Sequence, residues 1–144
     1  MKTLVIGAAI IDIIMKIKRL PKSGEDILCS ETVSTVGGCA YNVAGTLRGF
    51  GVDHDLFVPV GRGMYGDMIA GDLEKLGYQI LIREEESDNG YCLCLVEEDG
   101  ERTFITVKGA EGRFRPSWFE QLSQDAYGSI YVAGYQVCGA SGRV

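Results

Sequence analysis

The sequence predicts an α/β protein with a layered core and a second, smaller β-sheet. Short apolar runs alternate along the chain with segments of helical periodicity, which is typical of a strand–helix core. These runs lie at residues 3–7, 56–60 and 129–133. Other segments alternate apolar with polar residues, at about 12–18, 32–36, 91–97 and 102–107. Strands of this second kind do not suit a sheet covered on both faces, so we expect them to form a separate lid sheet over the core.

Two helices are predicted from the spacing of their apolar residues and from the glycines that follow them. The first carries its apolar residues on one side, at Ala40, Val43, Ala44, Leu47 and Phe50. Gly51 closes it at the position of a C-terminal cap. The second covers residues 66–76 and is closed by Gly77. A short helix is also expected at 116–122, because a proline suits its first position.

The connecting segments are predicted as a strand, a loop, a turn and a tail. Residues 78–82 are expected to form a short strand, and the charge run at 84–88 a solvated loop. Asp99-Gly100 marks the tip of a hairpin between two of the alternating strands. The glycine- and serine-rich tail at 139–144 indicates the start of another helix.

Composition and charge exclude several classes of function. The 144 residues suit one domain, and a net charge of −6 without a basic stripe argues against nucleic acid or an anionic membrane as a partner. No apolar run could span a membrane and no signal-peptide pattern follows Met1, so we expect a cytoplasmic protein. The single histidine, His54, is expected to be exposed, which argues against a His-based triad. Among the five cysteines, which form no Cys-x-x-Cys pair, Cys92 and Cys94 are expected to be small buried side chains.

The first candidate site is the turn Gly37-Gly38 at the start of a helix, with Asn42 in the first turn. The glycines let a ligand approach the backbone, where amide N–H groups are free. The side-chain amide of Asn42 both donates and accepts hydrogen bonds, which suits the hydroxyls of a polyol. Spacing alone equally fits a plain strand-to-helix turn.

A lone carboxylate, Asp12, leaves the end of the first buried strand and enters the lid. It could accept hydrogen bonds from two neighbouring hydroxyls, although a solvated strand-end Asp is the commoner case. Gln136 follows the last predicted strand, at the end where α/β proteins bind ligands. It is a secondary candidate for substrate contact, with a structural turn as the preferred alternative.

These features together resemble the PfkB/ribokinase family of carbohydrate kinases. The segment from Gly37 to Ala44 matches the complete first signature of that family, Gly-Gly-x-x-x-Asn-x-Ala, and Asp99 to Arg102 is similar to its Asp-Gly-Glu-Arg hairpin. The resemblance implies a ribokinase-like fold with a β-sheet lid. It also implies that Asp12, Gly37, Gly38 and Asn42 bind a sugar or nucleoside-like substrate. The lid strands could pair two copies into a homodimer.

The chain departs from the family pattern at two positions. Ribokinase proper has an asparagine where this chain has Ile10, so the substrate is not expected to be ribose. The family usually shows Gly-x-Asp-x-x-Gly where this chain has Gly61 to Gly66, and Gly63 replaces the aspartate.

The resemblance also defines what residues 1–144 lack. The complete enzyme is expected to use ATP and Mg²⁺, but its second signature, similar to Asp-Thr-x-Gly-Ala-Gly-Asp, has no match here. We therefore interpret residues 1–144 as the N-terminal part of one ribokinase-like domain, with no catalytic base, no strong binding of ATP or Mg²⁺, and no activity by itself. One alternative is a non-catalytic sugar-binding or dimerising remnant of such a kinase. Another is an unrelated α/β binding domain.

Overall fold

The structure is a computed structural model that describes residues 1–139. Its strands, in chain order, are β1 Lys2–Ile6, β2 Ile10–Lys16, β3 Glu31–Gly37, β4 His54–Phe57, β5 Pro59–Val60, β6 Ile82–Arg83, β7 Tyr91–Val96, β8 Arg102–Val107 and β9 Tyr127–Val132. Its α-helices are α1 Cys39–Gly49, α2 Met64–Lys75 and α3 Gly134–Gly139. Short 3₁₀ helices lie at Ala110–Gly112, Pro116–Gln121 and Gln124–Ala126.

The strands form three sheets. A parallel core sheet has the order β4-β1-β9, and a short parallel pair joins β5 to β6. The third sheet has the order β3-β2-β7-β8, in which β2 is parallel to β7 and the outer pairs are antiparallel. We call this third sheet the lid sheet. The α/β architecture predicted from the sequence is confirmed, while the role of the lid sheet in covering a substrate stays a prediction.

One face of the lid sheet packs against the main hydrophobic core. Ile11 belongs to the core cluster, and Ile13, Val36 and Tyr91 pack against it. Because side chains alternate along a strand, Asp12 lies on the opposite face of β2. The cluster also contains buried residues of other strands, of both long helices and of the connecting segments, namely Val5, Ala9, Ala40, Ala44, Leu56, Val58, Val60, Ile69 and Leu73.

Both long helices have a glycine at each end. Gly51 and Gly77 close them as predicted, whereas α2 begins at Met64, two residues before the predicted start. Gly38 and Gly63 precede α1 and α2 with φ of 103° and 143°, and neither helix has a side-chain cap from its own N-cap residue. Gly51 and Gly77, with φ of 68° and 82°, follow the C-terminal ends. These backbone conformations disfavour any residue with a Cβ, which explains why glycine stands at each helix boundary.

Two predicted strands differ from the observed ones. The run at 56–60 divides at Val58 into β4, which pairs with β1, and β5, which pairs with β6. Pro59 lacks the N–H that would continue the ladder with β1, so the chain changes sheet there. The strand expected at 78–82 is reduced to β6, because only Ile82 and Arg83 find a partner strand.

The strand expected to be buried at 129–133 is instead largely exposed. Within the described residues β9 pairs with β1 alone and forms an edge of the core sheet. Ile130 is 62% exposed, and Tyr131 and Val132 are exposed as well. The expected burial is not seen, because within the described residues no further strand pairs with the outer edge of β9. The helix start predicted for the tail lies, apart from Gly139, outside the described residues.

Two polar predictions were also wrong. The charge run at 84–88 is not simply solvated, because Glu84 is buried and pairs with Arg115 at 2.7 Å. His54 is half-buried, with its ring nitrogens 2.7 Å from the Val52 carbonyl oxygen and from the Tyr78 hydroxyl. By contrast, Cys92 and Cys94 are buried on one face of β7, as expected.

Candidate functional site

The carboxylate of Asp12 lies directly against Gly37. The two residues are on neighbouring strands of the lid sheet, where Asp12 pairs with Thr35 and Gly37 ends β3. A Cβ at position 37 would overlap the Asp12 Oδ2 atom. The glycine is therefore required here to leave room for a carboxylate, which brings together two of the residues singled out by the sequence.

Asp12 is a half-buried carboxylate for which the described residues provide no side-chain hydrogen-bond donor. Burial raises the pKa of its carboxyl group above the ordinary value of 3.8. The Cys94 thiol is a titratable neighbour, and its own pKa is raised by burial, by Cys92 and by Asp12. A carboxylate that has lost water without gaining donors would be stabilised by ligand hydroxyls.

Gly38 forms the turn from the lid sheet into α1. A Cβ there would come 2.5 Å from the Ala8 carbonyl oxygen, and its φ of 103° also favours glycine. No side chain of Gly38 can cap the helix, so the first N–H groups of α1 remain available beside Asp12 and Gly37. Backbone donors and a carboxylate acceptor thus lie at one turn, which is a suitable combination for a ligand rich in hydroxyls.

Asn42 lies one turn into α1 and is exposed. Its backbone N–H donates to the Gly38 carbonyl oxygen at 3.0 Å, which attaches it to the same turn. Its side chain lines a shallow cleft of about 670 Å³ on the flank of α1, together with Tyr41, Gly45, Thr46, Arg48, Gly49, Leu76 and Tyr78. No hydrogen bond joins the Asn42 side chain to Asp12 in the described part of the chain.

Gln136 lies in the first turn of α3, where its N–H donates to the Ala133 carbonyl oxygen at 3.0 Å. Its side-chain oxygen Oε1 is buried and has no hydrogen-bond partner among the described residues. This oxygen lies 3.4 Å from the position of a Cβ on Gly7, at the end of β1. That same position would be 2.8 Å from Ala40 Cβ, so Gln136 approaches the start of α1. A buried acceptor without a donor is costly and would gain from a ligand hydroxyl.

The sequence did not reveal the role of Asp88, which supports the neighbouring loop. Its carboxylate accepts hydrogen bonds from the N–H groups of Tyr65 at 3.1 Å and Gly66 at 2.6 Å. These are free donors in the first turn of α2, so Asp88 caps this helix from another segment of the chain. Its position within a run of charges gave no sign of this contact, because local composition cannot identify a partner distant in sequence.

The acidic, histidine and cysteine side chains of the described residues are dispersed. Among residues 1–139, no group of three or more His, Cys, Asp and Glu side chains is placed to hold a metal ion. None of the helices described is both long and apolar enough to cross a bilayer.

Comparison with known proteins places these features in a family. The family model of the pfkB family carbohydrate kinases matches residues 1–140. Over 141 residues the chain is 38% identical to the uncharacterised sugar kinase YegV of Escherichia coli K12. The aligned region covers 98% of this chain and 44% of that relative.

Solved structures show the same fold. The ribokinase of Giardia lamblia has a TM-score of 0.80 at 25% identity, over 91% of this chain and 41% of that one. The ribokinase of Arabidopsis thaliana, solved with ribose and ATP, has a TM-score of 0.70 at 25% identity, over 96% of this chain and 49% of that one.

The fold is thus that of the ribokinases, and the turn at Gly37-Gly38 occupies its first signature. The chain belongs to the pfkB family of carbohydrate kinases. It spans less than half the length of each of the three relatives compared above.

Proposed function

We propose that this chain is the sugar-binding, N-terminal part of an ATP-dependent sugar kinase. The observation that carries the proposal is the half-buried carboxylate of Asp12, without a donor, held against Gly37 beside the uncapped start of α1. Asp12 would accept from two substrate hydroxyls, the first N–H groups of α1 would donate to the substrate, and Asn42 would do both. The buried Oε1 of Gln136 supports a further acceptor at the same end of the core sheet.

The environment of Asp12 supports a substrate other than ribose. Ile10 pairs directly with Gly37 and lies two residues before Asp12, so both side chains are on the same face of β2. An aliphatic side chain in this position offers no hydrogen bond to a hydroxyl. We therefore expect the preferred substrate, a sugar or nucleoside-like compound, to present a carbon surface or a deoxy position next to Ile10.

ATP and Mg²⁺ would be bound by parts of the complete enzyme outside residues 1–144. We therefore expect that the 144-residue chain does not catalyse phosphoryl transfer by itself. An ATP-consumption assay of the chain, with and without a panel of sugars, checks this expectation. Sugar-dependent ATP turnover by the isolated chain would contradict it.

The sugar-binding role is tested in a longer form of the protein that carries kinase activity. Asp12→Ala should weaken sugar binding by about 1.5–3 kcal/mol, because it removes hydrogen bonds to a charged acceptor. Asn42→Ala should weaken binding by about 0.5–1.5 kcal/mol. Asp26→Ala, a change at an exposed residue of the loop between β2 and β3, is the matched control. Unchanged KM for the sugar in both site variants contradicts the proposed function.

We also propose that the lid sheet pairs two copies of the chain. Val33, Ile14, Cys94 and Phe104 are aligned across its four strands and therefore share one face. Val33 is 49% and Phe104 59% exposed, so the row ends in open apolar surface at both edges of the sheet. This face also carries Asp12, and a second copy placed on it would cover the apolar row next to the substrate.

A further inference from the structure

Two buried polar side chains meet where the lid sheet joins the core. Asn89 is 3% and Glu111 4% exposed, although both residue types are rarely buried without partners. Asn89 precedes β7, and Glu111 lies in the 3₁₀ helix that follows β8. We call this pair the junction. None of the candidate sugar-binding residues belongs to it.

The Asn89 amide bonds three backbone groups that lie in two other segments of the chain. Its Oδ1 accepts from the Gly61 N–H at 2.6 Å, just after β5. Its Nδ2 donates to the carbonyl oxygens of Pro59 at 3.0 Å and Ala9 at 3.2 Å. One side chain thus connects the end of β5, which belongs to the core, to the residue that immediately precedes β2. Both donors and the acceptor of this amide are used, as expected for a buried asparagine.

Glu111 holds the adjacent backbone from the other side. Its two carboxylate oxygens accept from the Gly90 N–H at 2.7 Å and the Gly109 N–H at 2.9 Å. The Gly90 carbonyl oxygen in turn accepts from the Ile11 N–H at 3.3 Å. A Cβ on either glycine would overlap the backbone opposite, so β7 and the end of β8 approach as closely as glycines allow. Glu111 therefore determines where Gly90 lies, and Gly90 supports β2.

Ala9 and Ile11, the residues on either side of the start of β2, are both held by this part of the structure. The Ala9 carbonyl oxygen is bound by Asn89, and the Ile11 N–H by the Gly90 carbonyl oxygen. Asp12 is the next residue along the chain. We propose that Asn89, supported by Glu111, is a positioning residue that determines where Asp12 stands relative to the core. Its importance for catalysis rests on the proposed function, whereas its effect on Asp12 does not.

A purely structural role for Asn89 makes a different prediction. If the amide only satisfied buried backbone groups, its loss would lower global stability without a particular effect on Asp12. A positioning role predicts local loosening of β2, which would expose the Asp12 carboxylate to water. Two NMR measurements distinguish these cases. They are the amide exchange rate of Ile11 and the titration of the Asp12 carboxyl group.

The experiment compares Asn89→Ser with Leu4→Ala in the 144-residue chain. Serine keeps one donor and one acceptor but cannot reach all three backbone groups. Leu4 is buried in a separate cluster with Ile6, Phe57 and Ile82, so its change destabilises the core without touching the junction. Both variants are measured under conditions of equal global stability. Asn89→Ser should accelerate exchange of the Ile11 N–H by about tenfold or more, and the pKa of Asp12 should fall toward its ordinary value. Leu4→Ala should change neither.

Equal Ile11 exchange and equal Asp12 titration in the two variants overturn the inference. Should Asn89→Ser fail to fold, the wild-type chain still decides. The amides of Gly61, Gly90 and Gly109 should then exchange only by global unfolding, and faster local exchange at these amides overturns the inference. Titration of the chain with D-ribose and other sugars tests the proposed function separately. If Asn89→Ser loosens β2 at Asp12, the positioning role of Asn89 is supported. If sugar affinity nevertheless does not depend on Asp12, only the proposed function is contradicted.

Discussion

The carboxylate of Asp88 occupies the space that a side chain at position 63 would need. A Cβ on Gly63 would overlap Asp88 Cγ, and the φ of 143° at Gly63 also disfavours other residues. The family pattern Gly-x-Asp-x-x-Gly would place an aspartate at this position. In this chain the first turn of α2 receives its carboxylate from the run at 84–88 instead. The carboxylate at the start of α2 therefore comes from Asp88, a residue distant in sequence.

Replacing Asp88 should destabilise the fold through α2. Asp88→Ala leaves the N–H groups of Tyr65 and Gly66 without their acceptor, which should lower the free energy of unfolding by about 1–2 kcal/mol. Urea denaturation followed by circular dichroism measures the loss. Asp26→Ala, at an exposed position, should change stability by less than about 0.5 kcal/mol. A loss no larger than that of the control would show that the cap contributes nothing.

Adding a methyl group at Gly37 should displace Asp12. Gly37→Ala places its Cβ on the Asp12 carboxylate, so we expect a stability loss of about 1–3 kcal/mol and weaker sugar binding in a longer, active form. Gly45→Ala is the matched control, because that glycine faces open space in the middle of α1. The control should gain about 0.5–1 kcal/mol from higher helix propensity. Thermal and urea unfolding measure both variants. Equal changes in the free energy of unfolding for Gly37→Ala and Gly45→Ala would contradict the contact between Asp12 and Gly37.

The burial of Asp12 predicts a specific dependence of stability on pH. Since the pKa of Asp12 is higher in the folded chain than its ordinary value of 3.8, the folded state holds this proton more tightly. The contribution of Asp12 to stability should therefore fall as the pH rises from 3.8 through the folded-state pKa, and then level off. Asp12→Asn lacks this step. The free energies of unfolding of the wild-type chain and of Asp12→Asn are measured over a pH series. As the pH rises, the variant should become more stable relative to the wild type, and a difference that does not change with pH would contradict the prediction.

The proposed pairing of lid sheets is tested at Phe104. Phe104→Arg places a charge at one end of the apolar row in the proposed interface and should weaken dimerisation by about 2 kcal/mol or more, roughly 30-fold in Kd. Sedimentation equilibrium measures the change. Phe50→Arg is the control, because Phe50 is also an exposed phenylalanine but lies at the end of α1, away from the lid sheet. A monomeric wild-type chain, or equal effects of both changes, would contradict the pairing.

Local features of the fold were accessible from the sequence because their causes are local. Glycines with positive φ mark the boundaries of α1 and α2, and helical spacing identifies the buried faces with Ala40 and Ala44. The hairpin between β7 and β8 follows from its turn residues, with Gly100 at a φ of 90°. The signature from Gly37 to Ala44 pointed to the family, which the family comparison confirms, and to the candidate site, which stays a prediction.

The parts that the sequence did not reveal depend on distant segments. The run at 84–88 looks solvated by its charge alone, yet Glu84 is buried against Arg115 and Asp88 caps α2. Asn89 and Glu111 carry no periodic or motif signal, because their hydrogen bonds join strands from different sheets.

The sequence by itself determined the α/β class, the two long helices, the hairpin and the residues at the Gly37-Gly38 turn. It did so because backbone propensity, turn chemistry and the periodicity of apolar residues act between near neighbours in the chain. Only the tertiary structure decided that β9 is exposed, that Asp12 lies against Gly37 and that Asn89 holds the start of β2. Burial and hydrogen bonding are satisfied between segments, and no single segment contains that information.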